Sequence, residues 1–352
     1  MKKHLPLILA AGMLLSVACS VPLRVATTHK TSPSPVQSQT TAAAGDSSGA
    51  SAALSAFQAT LEAVATAAQA SIVQIDTSQG LGSGIVYDSK GDIVTNNHVV
   101  EGASSYSVKT SDGKTYQATL VGTYAANDLA VIKVSGASLP PAKFADSTAI
   151  KIGEVVLAVG SPFGLTGTVT EGIVSAIGRT QSEGGNGVTL NDLVQTSAHI
   201  NPGNSGGALV DINGAVIGIP TLAGADSQGR QSSSGIGFAI PSNQVTNAAR
   251  QLVASGTVTH TNRPYLGVNT HDDQVAGADV VAVVAGGPAA KAGVKVGWVI
   301  TGIGGHDVAD TDGLSQVLAT YQPGNLVAVE VRLPDGSSRS LSVTLGERPA
   351  NP

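Results

Sequence analysis

The chain has 352 residues, a net charge of −5 and only 12% charged residues, which gives room for two domains and a tail. The acidic balance leaves no basic footprint for nucleic acid, and no apolar run approaches the ~20 residues of a membrane-spanning helix. Forty-three glycines set against 3% aromatic residues fit glycine-punctuated β structure built on small aliphatic side chains.

In chain order, Lys2 and Lys3 precede an apolar stretch at 5–18, too short to span a bilayer and suited to the h-region of a signal peptide. Residues 1–18 are therefore predicted to be a signal. Ser16-Val17-Ala18 leads directly to Cys19, the only cysteine, so no internal disulfide can form. The position of Cys19 resembles a bacterial lipoprotein signal, which implies acylation of Cys19 and a membrane anchor. Ser16 departs from that pattern, and Ser-x-Ala also suits ordinary signal peptidase; either outcome puts the chain outside the cytoplasm. Residues 19–53 are Ser, Thr, Ala, Pro and Gln with little to bury, and read as a disordered tether. Leu54, Phe57, Leu61 and Val64 then recur at helical spacing, predicting a short amphipathic helix over 54–69.

Short apolar runs broken by glycine follow at 72–75, 84–87, 93–95, 118–121, 130–134, 154–159, 168–177, 208–211, 215–219 and 236–240. Asp112-Gly113 and Asn213-Gly214 are hairpin signals among them. Such a series without long intervening helices predicts antiparallel barrels rather than βαβ units. Pro241-Ser242 opens a helix carrying Val245, Ala249 and Leu252 and stopped by Gly256, which ends a domain over 54–256. After a polar linker at 257–263, residues 264–346 read as a separate small α+β domain, with a tail at 347–352. Its strands are predicted at 265–268, 279–284, 299–303, 327–333 and 340–345, with a hairpin at Asp335-Gly336 and helices at 289–292 and 312–320.

Three residues in the first domain suit hydrolytic chemistry. Ser205 lies in Gly203-Asn204-Ser205-Gly206-Gly207, where the backbone can turn tightly and the amides of Gly203 and Ser205 can converge on an oxyanion. A serine hydroxyl needs a base to become nucleophilic; His98 supplies an imidazole and Asp128 a carboxylate to fix its tautomer. The order His98, Asp128, Ser205 is the chymotrypsin order, which puts the site in the cleft between two barrels. The same pentapeptide matches the Gly-x-Ser-x-Gly elbow of α/β-hydrolases, but the β run at 208–210 replaces the helix that elbow needs. His199, six positions before Ser205, is the rival base; its neighbours Ile200 and Asn201 suggest a place beside the substrate pocket instead.

With these residues in place, a family resemblance becomes specific. Thr95-Asn96-Asn97-His98-Val99-Val100, Asn127-Asp128-Leu129-Ala130-Val131, Ser161-Pro162-Phe163-Gly164, the serine motif from Ile200 to Gly207, and Gly235-Ile236-Gly237-Phe238-Ala239-Ile240-Pro241 resemble the HtrA (Deg) serine proteases. The resemblance implies a chymotrypsin-like double six-stranded β-barrel followed by one PDZ domain, a homotrimer, and degradation of misfolded or unfolded proteins outside the cytoplasm. It implies an oxyanion hole over Gly203, Asn204 and Ser205, and no metal or organic cofactor. The S1 pocket would be aliphatic, with His199 in place of a trypsin-like carboxylate and with Ile200, Thr221, Leu222 and Ala223 around it. In the PDZ domain, Tyr265-Leu266-Gly267-Val268 matches a carboxylate-binding loop, and a peptide C-terminus would add as a strand beside the 312–320 helix. Arg179 matches an arginine linking a sensor loop, about 181–192, to the activation loop near Phe163. The rival function is a holdase chaperone or PDZ scaffold with an idle protease domain. The loop at 75–80 is very short and no second PDZ is present in the sequence, while Ser197-Ala198-His199 and Pro220 depart from the family pattern.

Overall fold

The computed structural model describes residues 47–161, 167–182, 189–201, 203–223, 235–272 and 276–350. Cys19 and the signal segment, Phe163, and positions 183–188 of the expected sensor loop lie outside them.

Helix α1 (Ser47–Gln69) begins inside the stretch read as tether rather than at Leu54. Serine and alanine in 47–53 carry the helix further than its apolar face does. Only its last turns pack: Val64 and Ala68 are buried and Gln69 Nε2 donates to the Gly167 carbonyl at 3.0 Å, whereas Leu54 is 70% exposed.

The first barrel comprises β1 (Ile72–Thr77), β2 (Leu81–Val86), β3 (Asp92–Thr95), β4 (Tyr106–Lys109), β5 (Thr115–Tyr124) and β6 (Leu129–Val134), with the four-residue helix α2 (Asn97–Val100) after β3. Its order is β1-β2-β3-β6-β5-β4, closed by β4 on β1. The second barrel comprises β7 (Val155–Gly160), β8 (Thr168–Ser182), β9 (Thr189–Thr196), β10 (Ala208–Asp211), β11 (Val216–Ala223) and β12 (Gly237–Pro241), ordered β10-β11-β12-β9-β8-β7 and also closed. The two strands that the apolar pattern leaves out are β4 and β9. In β4 only Val108 is fully buried. In β9 the left-handed Asp192 (φ 60) and register shifts against β8 break the alternation, and polar residues interrupt Leu190, Leu193 and Val194.

Each barrel has its own apolar interior, around Ile75, Ile93 and Ile132 in the first and Val156, Leu209 and Ile217 in the second. A third cluster joins them: Ile85, Val94 and Leu129 meet Leu157 and Val210, covered by Val245 and Leu252 of α3 (Ser242–Ser255). Each of these aliphatic side chains stabilises the fold by about 1.5–3 kcal/mol on burial. As the sequence predicts, α3 starts at Ser242 and stops at Gly256. The Ser242 hydroxyl, instead of capping the helix, donates to the Ala145 carbonyl at 2.7 Å.

The last domain contains β13 (Pro264–Tyr265), β14 (Val268–Asp272), β15 (Ala278–Val283), α4 (Pro288–Ala292), β16 (Val299–Ile303), β17 (His306–Asp307), α5 (Thr311–Leu318), β18 (Leu326–Arg332), β19 (Ser338–Thr344) and β20 (Gly346–Glu347). Its sheet runs β14-β15-β16-β18-β19, with β17 on β16 and a separate β13–β20 pair. Val280, Ile300, Ile303, Leu314 and Val329 form its core. The single strand expected over 265–268 is split, because Leu266 is drawn into that core and its carbonyl accepts from Ala289 N–H at 2.8 Å. The sheet therefore ends in β14 as an edge strand, with α5 beside it.

Candidate active site at the seam of the two barrels

Strand β3 delivers His98. The chain leaves β3 at Asn96 and enters α2 at Asn97, so His98 stands in a helical turn whose neighbours Asn97, Val99 and Val100 are buried. Its own side chain remains 40% exposed. Asp128 follows a 3₁₀ turn (Ala125–Asn127) and takes a left-handed conformation, φ 48 and ψ 45, before β6 begins. That conformation costs a non-glycine residue roughly 1–2 kcal/mol, least for Asp and Asn. Asn96 Nδ2 offsets it by donating to the Asp128 carbonyl at 2.9 Å.

The Asp128 carboxylate is buried and meets three donors. His98 Nδ1 lies 3.0 and 2.9 Å from its two oxygens, the His98 N–H donates at 3.0 Å, and the Thr221 hydroxyl donates to Oδ2. The imidazole–carboxylate pair thus forms at His98. His199, the rival base, is exposed, and its carbonyl accepts from Thr170 Oγ1 at 2.8 Å and Asn204 Nδ2 at 3.2 Å.

Ser205 sits in a turn that closes on itself: Asn204 N–H donates to Asn201 O at 3.0 Å and Gly207 N–H to Asn204 O at 2.9 Å. Gly203 (φ 102) and Gly206 (φ 79) occupy backbone regions that L side chains rarely adopt. At Gly206 the reason is also steric, since a Cβ there would run into the Ser83 carbonyl oxygen and the Thr95 hydroxyl. The serine turn therefore abuts the end of β3, three residues before His98. Asn204 is a correction to the expected oxyanion site: its N–H closes the turn onto Asn201, so it is not a donor to an oxyanion.

Of the residues assigned to the S1 pocket, Ile200 is buried, and Gly237 presses so closely on it that a Cβ would clash. Gly237 pairs in turn with Ala223, which brings the end of β11 to the same place. Thr221 is buried and its hydroxyl donates to Asp128. Four residues of the site were not expected in the roles the structure gives them: Ser83, Thr95, Asn96 and Thr221. The usable signal was Gly82-Ser83-Gly84, a polar residue between two glycines inside a strand. Among the described residues, no cluster of His, Cys, Asp or Glu is placed to hold a metal ion.

Arg179 of β8 reaches across to the PDZ domain. Its Nε donates to Gln195 Oε1 at 3.0 Å and its Nη1 forms an ion pair with Asp312 of α5. Gln316 of the same helix covers Gly178. Below this contact, Arg263 pairs with Asp192 of β9, while burial and the neighbouring Arg263 lower the pKa of the Arg348 guanidinium.

Two family models match the chain, a trypsin-like peptidase domain over residues 82–219 and a PDZ domain over 264–345. Serine protease PepD of Mycobacterium tuberculosis (strain ATCC 25618 / H37Rv) is 42% identical over 309 residues, covering 82% of this chain and 66% of PepD. Periplasmic serine endoprotease DegP of Escherichia coli (strain K12) is 40% identical over 281 residues, covering 77% of this chain and 58% of DegP. The chain thus spans just under two thirds of the first relative and less of the second. Among solved structures, the HtrA-type protease AlgW with a tripeptide superposes with a TM-score of 0.60 at 37% identity, over 82% of this chain and 97% of AlgW. With two barrels, one PDZ domain and these relatives, the chain belongs to the HtrA-type serine protease family.

Proposed function

We propose that this protein is an extracytoplasmic serine endopeptidase that degrades unfolded proteins and is regulated by peptide C-termini bound at its PDZ domain. The observation that carries this reading is the clamp of the buried Asp128 carboxylate on His98 Nδ1. With Nδ1–H held by Asp128, the lone pair resides on Nε2, the nitrogen that would take the Ser205 proton. Ser205 Oγ then attacks the peptide carbonyl, the oxyanion is held by the N–H groups of Gly203 and Ser205, and His98 returns the proton to the leaving amine. The aliphatic S1 pocket that the family resemblance implies beside Ile200 would favour cutting after Val, Ala or Ile with weak discrimination, because one methylene changes selectivity by only ~1–3 kcal/mol.

The edge strand β14 beside α5 is where an added peptide strand would pair, with the Tyr265-Leu266-Gly267-Val268 loop at its start. The contacts of Arg179 and Gly178 with α5 give that groove a route to the second barrel. A periplasmic setting is supported by the periplasmic serine endoproteases among the relatives and by the signal-like first 18 residues. Acylation of Cys19 would add a lipid anchor, and assembly as a homotrimer follows the family resemblance. The deciding experiment is digestion of casein by wild type and by Ser205→Ala: wild type should degrade it and the variant should not. Equal digestion by both would refute the triad, and no digestion by either would favour a holdase or scaffold.

A further inference from the structure

We infer that Ser83 is a positioning residue for the oxyanion site, pinning the serine turn through its hydroxyl; the inference rests on the triad reading above. Strand β2 explains how Ser83 comes to face the turn. Successive side chains alternate across a strand, and Cβ atoms on Gly82 and Gly84 would strike Val99 on one side, and Ile93 and Ile75 on the other, all in the first barrel's interior. Both must be glycine for the barrel to close. Ser83 between them points the opposite way, into the seam. The pairing of β2 with β3 runs only through Ile85 and Val86, so at Ser83 the ladder position is left to another partner, and the serine turn takes it.

Ser83 is fully buried and every polar atom it carries is used. Its N–H donates to the Ser205 carbonyl at 3.0 Å, and its own carbonyl accepts from Thr95 Oγ1 at 2.7 Å. Its hydroxyl accepts from Ser161 N–H at 2.8 Å, which directs the hydroxyl proton to the Gly203 carbonyl at 2.5 Å. The Gly203–Asn204 peptide links the two peptides that carry the proposed oxyanion donors. One end of it is fixed by Asn204 N–H on Asn201 O, and the other by the Ser83 hydroxyl. Gly203 has no side chain to restrain it, so an external bond sets the plane. Ser83 thereby holds the carbonyls on both sides of the Ser205 N–H without itself touching substrate.

Full-length Ser83→Ala and Ser83→Cys, assayed with a chromogenic peptide ending in valine, test this. Losing one oxyanion donor elsewhere costs 10²–10³ in kcat, so a misaligned site in Ser83→Ala should lose roughly 10–100-fold in kcat. KM should stay within about twofold, because ground-state binding is untouched. The acid limb of kcat/KM, which reports His98, should not move. Affinity for a peptide boronic acid, a tetrahedral mimic, should fall in parallel with kcat. Ser83→Cys, similar in shape but a weaker donor, should fall between Ser and Ala. The inference is overturned if kcat in Ser83→Ala stays within about twofold of wild type, or if KM and the acid limb move with it. Equal activity of wild type and Ser205→Ala would instead indict the triad.

Discussion

Across the seam between the barrels, Ser83 reaches Gly203 and Ser205, Ser161 reaches Ser83, and Thr221 reaches Asp128, all through buried hydroxyls and backbone groups. Across the seam between the second barrel and the PDZ domain, the corresponding links are ion pairs, Arg179 with Asp312 and, from the linker, Arg263 with Asp192. The Arg179 and Asp312 side chains are 38% and 26% exposed. Buried hydrogen bonds demand geometry and leave unsatisfied groups when broken, so they suit holding the proposed catalytic constellation in place. Partly exposed ion pairs are weak, screened by salt and tolerant of displacement, so they suit a docking contact that a ligand can shift. The two seams thus differ in the type of bond each carries, which is the division that the proposed PDZ regulation would need.

The sharpest way to break the first seam is Gly206→Ala. A left-handed alanine costs ~1–2 kcal/mol, and overpacking against the Ser83 carbonyl adds ~1–3 kcal/mol, for a loss of about 2–5 kcal/mol. Peptide cleavage should fall with it, because the turn carrying Ser205 must shift. Gly214→Ala provides the control: its φ of 76 is similar, but open space surrounds the position of the new methyl. That variant should lose only ~1 kcal/mol in urea unfolding and keep full activity. If the two variants were equally stable, close approach of β2 would not be what requires glycine at 206.

Loosening the second seam should cost far less. Asp312→Asn removes one ion pair that is partly exposed, worth about 0.5–1 kcal/mol. Hydrogen exchange in α5 should quicken in low salt, and 0.5 M salt, roughly a 4 Å Debye length, should have the same effect on wild type. The amides of Ser83 and Gly206, bonded to Ser205 O and Pro220 O, should exchange unchanged in both cases. If their protection also fell, the two seams would be one cooperative unit and the contrast would fail.

The residues proposed to do the chemistry were legible because nucleophile, base and acid each need a rare local setting. A serine inside a glycine cluster and a histidine and an aspartate in chymotrypsin order mark themselves. The barrels were legible as far as apolar alternation reached, which stopped at β4 and β9, where polar residues and the left-handed Asp192 hide the pattern. Ser83 was not legible as part of the site, nor Thr221, expected at the S1 pocket, as a partner of Asp128, because a lone hydroxyl has no chemical signature until its partners surround it. Those partners, Gly203 and Asp128, lie 120 and 93 residues away in the chain. Arg179 was singled out, but its partner Asp312 belongs to another domain and no periodicity connects the two.

The smallest effect is expected at the clasp where the linker meets the end of the PDZ domain. Strand β20 pairs with β13, and Glu347 accepts from Asn262 N–H at 2.8 Å and lies 3.3 Å from His260 Nδ1. The Asn262 N–H, more than His260, holds the Glu347 carboxyl below its ordinary value of 4.5. A carboxylate with a depressed folded pKa contributes stability above the unfolded value, and that stability is lost as pH falls through the lower, folded one. Glu347 is one third exposed, so solvent screening limits the contribution to a few tenths of a kcal/mol. Thermal melts of wild type and Glu347→Gln between about pH 3 and 6 should converge toward the acid end and separate above it. A constant offset across that range would mean that the amide loses packing rather than charge, and that the clasp is held by the β13–β20 backbone pair alone.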